Sequence, residues 1–141
     1  MKIKLSVFLT LTLLTLLACN KDEDSSSTTI TSKIWKRALI DKNPSTNPQG
    51  AMSYYAVLDC EKDDTFKFES NGNLVINRGA NKCETSEDSN NTQTYTLNRA
   101  NKELLINGAR FTLAEESSEQ IKYYATLPMA SGFSQVIFLL Q

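Results

Sequence analysis

Between residues 33 and 140 the chain alternates short apolar and polar runs with clusters of turn residues. That period-2 pattern belongs to strands buried on one face. The runs 33–40, 65–69, 73–78, 92–98, 103–107, 109–114, 119–127 and 133–140 predict eight strands. Asn71-Gly72 and Asn107-Gly108 read as hairpin turns, because both residue types tolerate positive φ. Pro128 and Gly132 bracket a further turn. Eight strands in simple succession predict an all-β, eight-stranded antiparallel up-and-down barrel, which leaves no exposed edge. A two-sheet sandwich is the second architecture the pattern allows. One connection, 41–64, is long. Pro44 and Pro48 make its first part irregular. Ala51, Tyr54, Tyr55 and Leu58 then fall at i, i+3, i+4 and i+7, which predicts a short helix lying across one end of the barrel.

Burial chooses the register of the hairpin at Asn71-Gly72. A two-residue turn would put Phe66 and Phe68 on one face with Asn77 and Val75. A three-residue turn, with Gly72 left-handed, pairs Phe68 with Leu74 and Phe66 with Ile76 and sends Lys67 and Glu69 outward. This second register buries the apolar set. It also brings Cys60 within one residue of a position opposite Cys83, so a small irregularity near Gly79 suffices for a disulfide. The large side chains expected in the lumen are Trp35, Phe66, Phe68, Tyr95, Phe111 and Tyr123, with Tyr54 and Tyr55 at the mouth. Trp35, at the start of the first strand, is expected near the closed floor.

The beginning of the chain breaks the alternation. Lys2 and Lys4 precede residues 5–17, which are apolar apart from Ser6 and three threonines. The run is shorter than the about 20 residues of a membrane span and reads as a secretory signal. It closes on Leu16-Leu17-Ala18-Cys19, which resembles the lipobox of bacterial lipoproteins. The resemblance implies that Cys19 is acylated and becomes the N-terminus. The chain then divides into a signal peptide (1–18), a lipidated flexible tether (19–32) and a barrel domain (33–141). The tether is too polar to fold. Its Lys21-Asp22-Glu23-Asp24 also resembles the export signal of some Gram-negative lipoproteins, which implies display on the outer face of the outer membrane. The periplasmic face is the alternative.

Charge and cysteine count narrow the function. Two of the fifteen basic residues and none of the acidic ones lie in the signal, so the remainder carries 13 basic against 16 acidic side chains, net −3. No basic stripe points to nucleic acid. With Cys19 taken by lipid, the other two of the three cysteines, Cys60 and Cys83, form one pair in an oxidising setting. Histidine is absent from the sequence, so Ser-His-Asp and Cys-His catalysis are excluded within this chain. Asp59, Glu61, Asp63 and Asp64 crowd around Cys60. A calcium site is one reading, and capping of turns is the plainer one. Arg110 points to solvent if Phe111 points in, and is a lumen cation for a carboxylate if the register is reversed. Tyr123-Tyr124 puts one ring on each face. No enzyme activity, metal or cofactor is expected.

The domain also resembles the bacterial lipocalin-like domains of surface lipoproteins. The matching pieces are Lys33-Ile34-Trp35, then Cys60-Glu61-Lys62-Asp63-Asp64 leading into Phe66, then Phe68-Glu69-Ser70-Asn71-Gly72, and Cys83 after a glycine. The resemblance implies a cavity for a small apolar or amphipathic ligand rather than catalysis. The other function it leaves open is a filled barrel whose outer surface meets a protein or glycan partner.

Overall fold

A computed structural model describes residues 29–141. The signal, Cys19 and the Lys21-Asp22-Glu23-Asp24 run lie outside the described residues. The nine strands among the described residues are β1 (Trp35–Lys36), β2 (Met52–Tyr54), β3 (Thr65–Phe68), β4 (Asn73–Asn77), β5 (Asn90–Asn98), β6 (Glu103–Ile106), β7 (Ala109–Glu116), β8 (Ile121–Thr126) and β9 (Gln135–Leu140). They form one curled sheet in the order β1-β3-β4-β5-β6-β7-β8-β9-β2.

The sheet is mixed and makes a half-barrel, not a closed eight-stranded antiparallel barrel. Two departures explain this. First, the stretch read as one strand over 33–40 changes partners after two residues. Trp35 and Lys36 pair with Phe66 and Thr65 of β3. Arg37 then bridges to Leu140, and the Ala38 N–H donates to the Leu139 carbonyl at 3.1 Å. Leu39 and Ile40 leave the sheet, 67% and 77% exposed. Second, the stretch read as a helix is strand β2, which runs parallel to the first half of β9, Met52 opposite Gln135 and Tyr54 opposite Ile137. The expected apolar helical face is not buried, since Tyr54 and Leu58 are 45% and 54% exposed. The free edge of β9 supplies backbone partners that a short helix would have left unpaired. That edge is therefore shared between β2 along its first half and Lys36, Arg37 and Ala38 at its end, where Lys36 and Gln141 exchange two backbone hydrogen bonds of 2.9 Å.

The hairpin at Asn71-Gly72 has the register that burial selects. Phe66 pairs with Ile76 and Phe68 with Leu74, across a three-residue turn closed by Gly72 at φ 86°. At Asn107-Gly108 both residues have positive φ, 48° and 80°, and Ile106 pairs directly with Ala109, the two-residue turn that matches strand twist. The core joins the inner faces of the strands through Trp35, Phe66, Phe68, Leu74, Leu104, Leu113, Ile121 and Leu140.

One end of the half-barrel is sealed. Ile30, only 2% exposed, belongs to the core, and its carbonyl accepts the Trp35 indole N–H at 2.7 Å. The packed domain therefore takes in the last residues of the stretch read as tether. The Ile30 N–H donates to Glu116, which also holds Arg99 in two 2.7 Å hydrogen bonds. A bulge between Leu113 and Glu115 shifts the alternation of β7. It turns Glu116 inward to this seal and Glu115 outward toward Lys122.

Candidate ligand-binding cavity

Alternation along the strands sends one set of side chains into the curl. Phe66, Phe68, Leu74, Ile76, Ile106, Phe111, Tyr123 and Phe138 line a cavity of about 360 Å³. Its aromatic wall is ordered by ring contacts. Tyr123 stacks on Phe138 with centroids 5.1 Å apart, and Phe111 meets both edge-on at 5.2 and 5.7 Å. Tyr55 stacks on the other side of Phe138 at 5.0 Å.

The polar groups of the cavity are few. Arg37, Glu61, Arg78, Gln93 and Asn107 also line it. The Arg37 guanidinium lies over the rings of Phe66, Tyr55 and Phe138, at 4.6, 5.1 and 5.5 Å. Its Nη1 donates to the Tyr123 hydroxyl at 3.0 Å, and its buried Nε has no partner. Arg78 is neutralised by the buried Asp64 at 2.6 Å. Glu61 accepts from the Tyr55 hydroxyl at 2.8 and 3.0 Å and from the Leu58 N–H at 3.0 Å. Burial, and next the hydrogen bond to Glu61, raise the Tyr55 pKa, so it remains a donor.

The rim next to Glu61 and Arg78 is stapled. Cys60 and Cys83 form a disulfide with Cα atoms 5.1 Å apart. Gly79, at φ 36°, supplies the irregularity, and a Cβ there would collide with the Asp63 carboxylate. That carboxylate accepts the N–H groups of Ala80 and Asn81 at 2.8 and 3.1 Å, which hold its pKa below the usual value. Asp63 thus pins a turn. Among the described residues no three acidic or cysteine side chains converge as a metal site.

Of the residues expected in the lumen, Phe66, Phe68, Phe111 and Tyr123 line the cavity, and Tyr55 packs just behind it. Trp35 is wholly buried at the sealed end. Tyr95 packs edge-on to Phe68 at 4.9 Å, and its hydroxyl donates to the Glu69 carbonyl. Tyr54 faces outward and donates to Asp41 at 2.9 Å. Arg110 is the surface cation of its two readings, with a side chain 78% exposed and paired to Glu103 at 3.0 Å. Sequence reasoning missed Arg37 and Phe138. The signal for Arg37 was present: it stands two residues after Trp35, hence on the same face of an extended chain.

A buried cation lies on the opposite, convex face. Lys122 follows the alternation away from Tyr123 and is fully buried under the segment after β1. It pairs with Asp41 at 2.8 Å and donates to the Asn43 carbonyl, Thr46 Oγ1 and Asn47 Oδ1 at 2.6–2.9 Å. Glu115 stands 4.0 Å away. Burial pushes the Asp41 pKa upward, but hydrogen bonds from Lys122, Asn43, Tyr54 and Gln120 outweigh it and bring the pKa down to about 2.

Compared with known proteins, the chain matches no family model, no curated protein and no solved structure.

Proposed function

We propose that this protein is a non-catalytic binding protein that holds a small apolar or amphipathic molecule against the concave face of its half-barrel. The observation that carries this reading is the aromatic cavity of about 360 Å³, within the roughly 300–1,000 Å³ of small-molecule sites. In the same reading the chain is a lipocalin-like lipoprotein. It is exported by residues 1–18, anchored to the outer membrane through acylated Cys19, and displayed on the cell surface by Lys21-Asp22-Glu23-Asp24. The lipobox-like end of the signal supports the anchor. The cysteine pair, bridged here, fits an oxidising compartment.

A second reading, a surface module for a protein or glycan partner, is favoured by the exposed pair Leu39 and Ile40. Native mass spectrometry of the exported protein separates the two. The carrier reading expects a co-purified or added small molecule on the domain, lost in Phe66→Arg, which puts a charge into the apolar wall. A protein that takes up no apolar probe overturns it in favour of the surface module.

A further inference from the structure

We infer that the ligand is an amphipathic carboxylate, with its head on Arg37 and its apolar body along Phe66, Phe68, Phe111 and Phe138. This deepens the carrier reading and rests on it.

The inference starts from charge. Three of the four arginines have a carboxylate partner: Arg78 with Asp64, Arg99 with Glu116 and Arg110 with Glu103. Arg37, the one centred over the aromatic wall, has none among the described residues. A guanidinium set among rings with one buried N–H unpaired is a costly arrangement. Cation–π attraction to three rings offsets part of that cost. An incoming anion supplies the missing partner, and its charge-assisted hydrogen bonds are the strong kind.

The cavity also selects among anions. Arg78 already carries the charge of Asp64, so one unpaired cation remains. Glu61 lines the same cavity and would oppose a second negative charge. A planar monoanion that can take two N–H groups at once fits this balance, and a phosphate dianion does not. The rest of the apolar lining is aliphatic, with Leu74, Ile76 and Ile106, which suits a hydrocarbon body.

The test compares a fluorescent polyene fatty acid, cis-parinaric acid, with its methyl ester. The protein is the exported chain, residues 19–141, with Cys19→Ser so that no attached acyl chain competes. The acid should bind the unsubstituted cavity about tenfold tighter than the ester, the factor that a single charge-assisted hydrogen bond supports. Arg37→Met should reduce that preference to about twofold or less, with the larger loss in the acid. Arg37→Lys, which keeps the charge but loses the fork, should fall between. Equal binding of acid and ester to the unsubstituted protein overturns the carboxylate and leaves the carrier reading standing. Binding of neither overturns both. The acid-to-ester ratio of the unsubstituted protein decides the matter even if Arg37→Met does not fold.

Discussion

Two cations of this domain, Lys122 and Arg37, lie on opposite faces of the same sheet and are treated in opposite ways. Lys122, on the convex face, is saturated with oxygen partners: Asp41, the Asn43 carbonyl, Thr46 and Asn47. All of these come from the segment between β1 and β2. Arg37, on the concave face, is half-buried among rings and holds one hydroxyl. A cation with every donor used is a structural rivet, since any change around it leaves charge uncompensated. A cation with donors to spare beside a cavity remains available to something else. On the carrier reading proposed above, the contrast separates the part of the molecule that maintains the fold from the part that would meet a ligand, and substitution can break it.

The largest effect is expected at the rivet. Lys122→Met keeps the length and the apolar stem but leaves Asp41 and Glu115, with side chains 5% and 12% exposed, facing each other without a cation. The loss in unfolding free energy should be about 3–5 kcal/mol, the range for removing one member of a buried pair. Urea unfolding followed by circular dichroism measures it. A loss below about 1 kcal/mol would mean that the segment after β1 is held by something other than this cluster.

The disulfide should come next. It closes a loop of sequence separation 23, which in the chain-entropy model is worth about 3 kcal/mol. Intact mass with and without reductant should differ by two hydrogens, and the double Cys60→Ser, Cys83→Ser variant should lose that stability. Because the bridge staples the rim beside Glu61 and Arg78, its removal should also widen the distribution of cavity conformations. Hydrogen exchange at Glu61 and Arg78 reads this, and unchanged protection there would separate the staple from the site.

Acid sharpens the comparison further. The Asp41 carboxyl titrates at about 2 in the fold against an ordinary 3.8. Its contribution to stability is present above about pH 3.8 and is lost as pH falls from there through about 2. A shift of that size corresponds to about 2 kcal/mol. The difference in unfolding free energy between pH 5 and pH 2 should therefore be smaller by about that amount in Asp41→Asn. An identical pH dependence in the two proteins would remove Asp41 from the rivet.

How far this arrangement could be read from the sequence follows from the range of each determinant. Phe66, Phe68, Leu74 and Ile76 show their pairing because a turn of fixed geometry and one buried face leave a single acceptable register. Cys60 and Cys83 follow from that register. The helix expected around Tyr54 and Tyr55 fails because four apolar residues at helical spacing are also compatible with a strand. What decides is the unpaired edge of β9, about eighty residues away in sequence. Phe138 lies in Val136-Ile137-Phe138-Leu139-Leu140, a run with no polar alternation, so nothing local says which residues face inward. Arg37 was legible by counting from Trp35. Its lack of a carboxylate was not, because that is a statement about every acidic side chain in the fold at once.

The smallest stability change is expected at Arg37, and that smallness is what distinguishes it from Lys122. Arg37→Met removes one hydrogen bond to the Tyr123 hydroxyl and the cation–π contacts with Phe66, Tyr55 and Phe138. These are worth about 1 kcal/mol each at most in a partly solvated setting. The same substitution relieves a desolvated guanidinium whose Nε has no partner, which works in the opposite direction by a similar amount. The net change in unfolding free energy should therefore lie within about 1 kcal/mol of zero, while Lys122→Met, with the same replacement residue, loses several times more. Paired urea titrations of the two variants measure the difference directly. If Arg37→Met destabilises as much as Lys122→Met, Arg37 belongs to the scaffold, and the asymmetry between the two faces disappears. If it is neutral, a charge that contributes little to the fold is being held over an aromatic cavity, and its use must be sought in what the cavity binds.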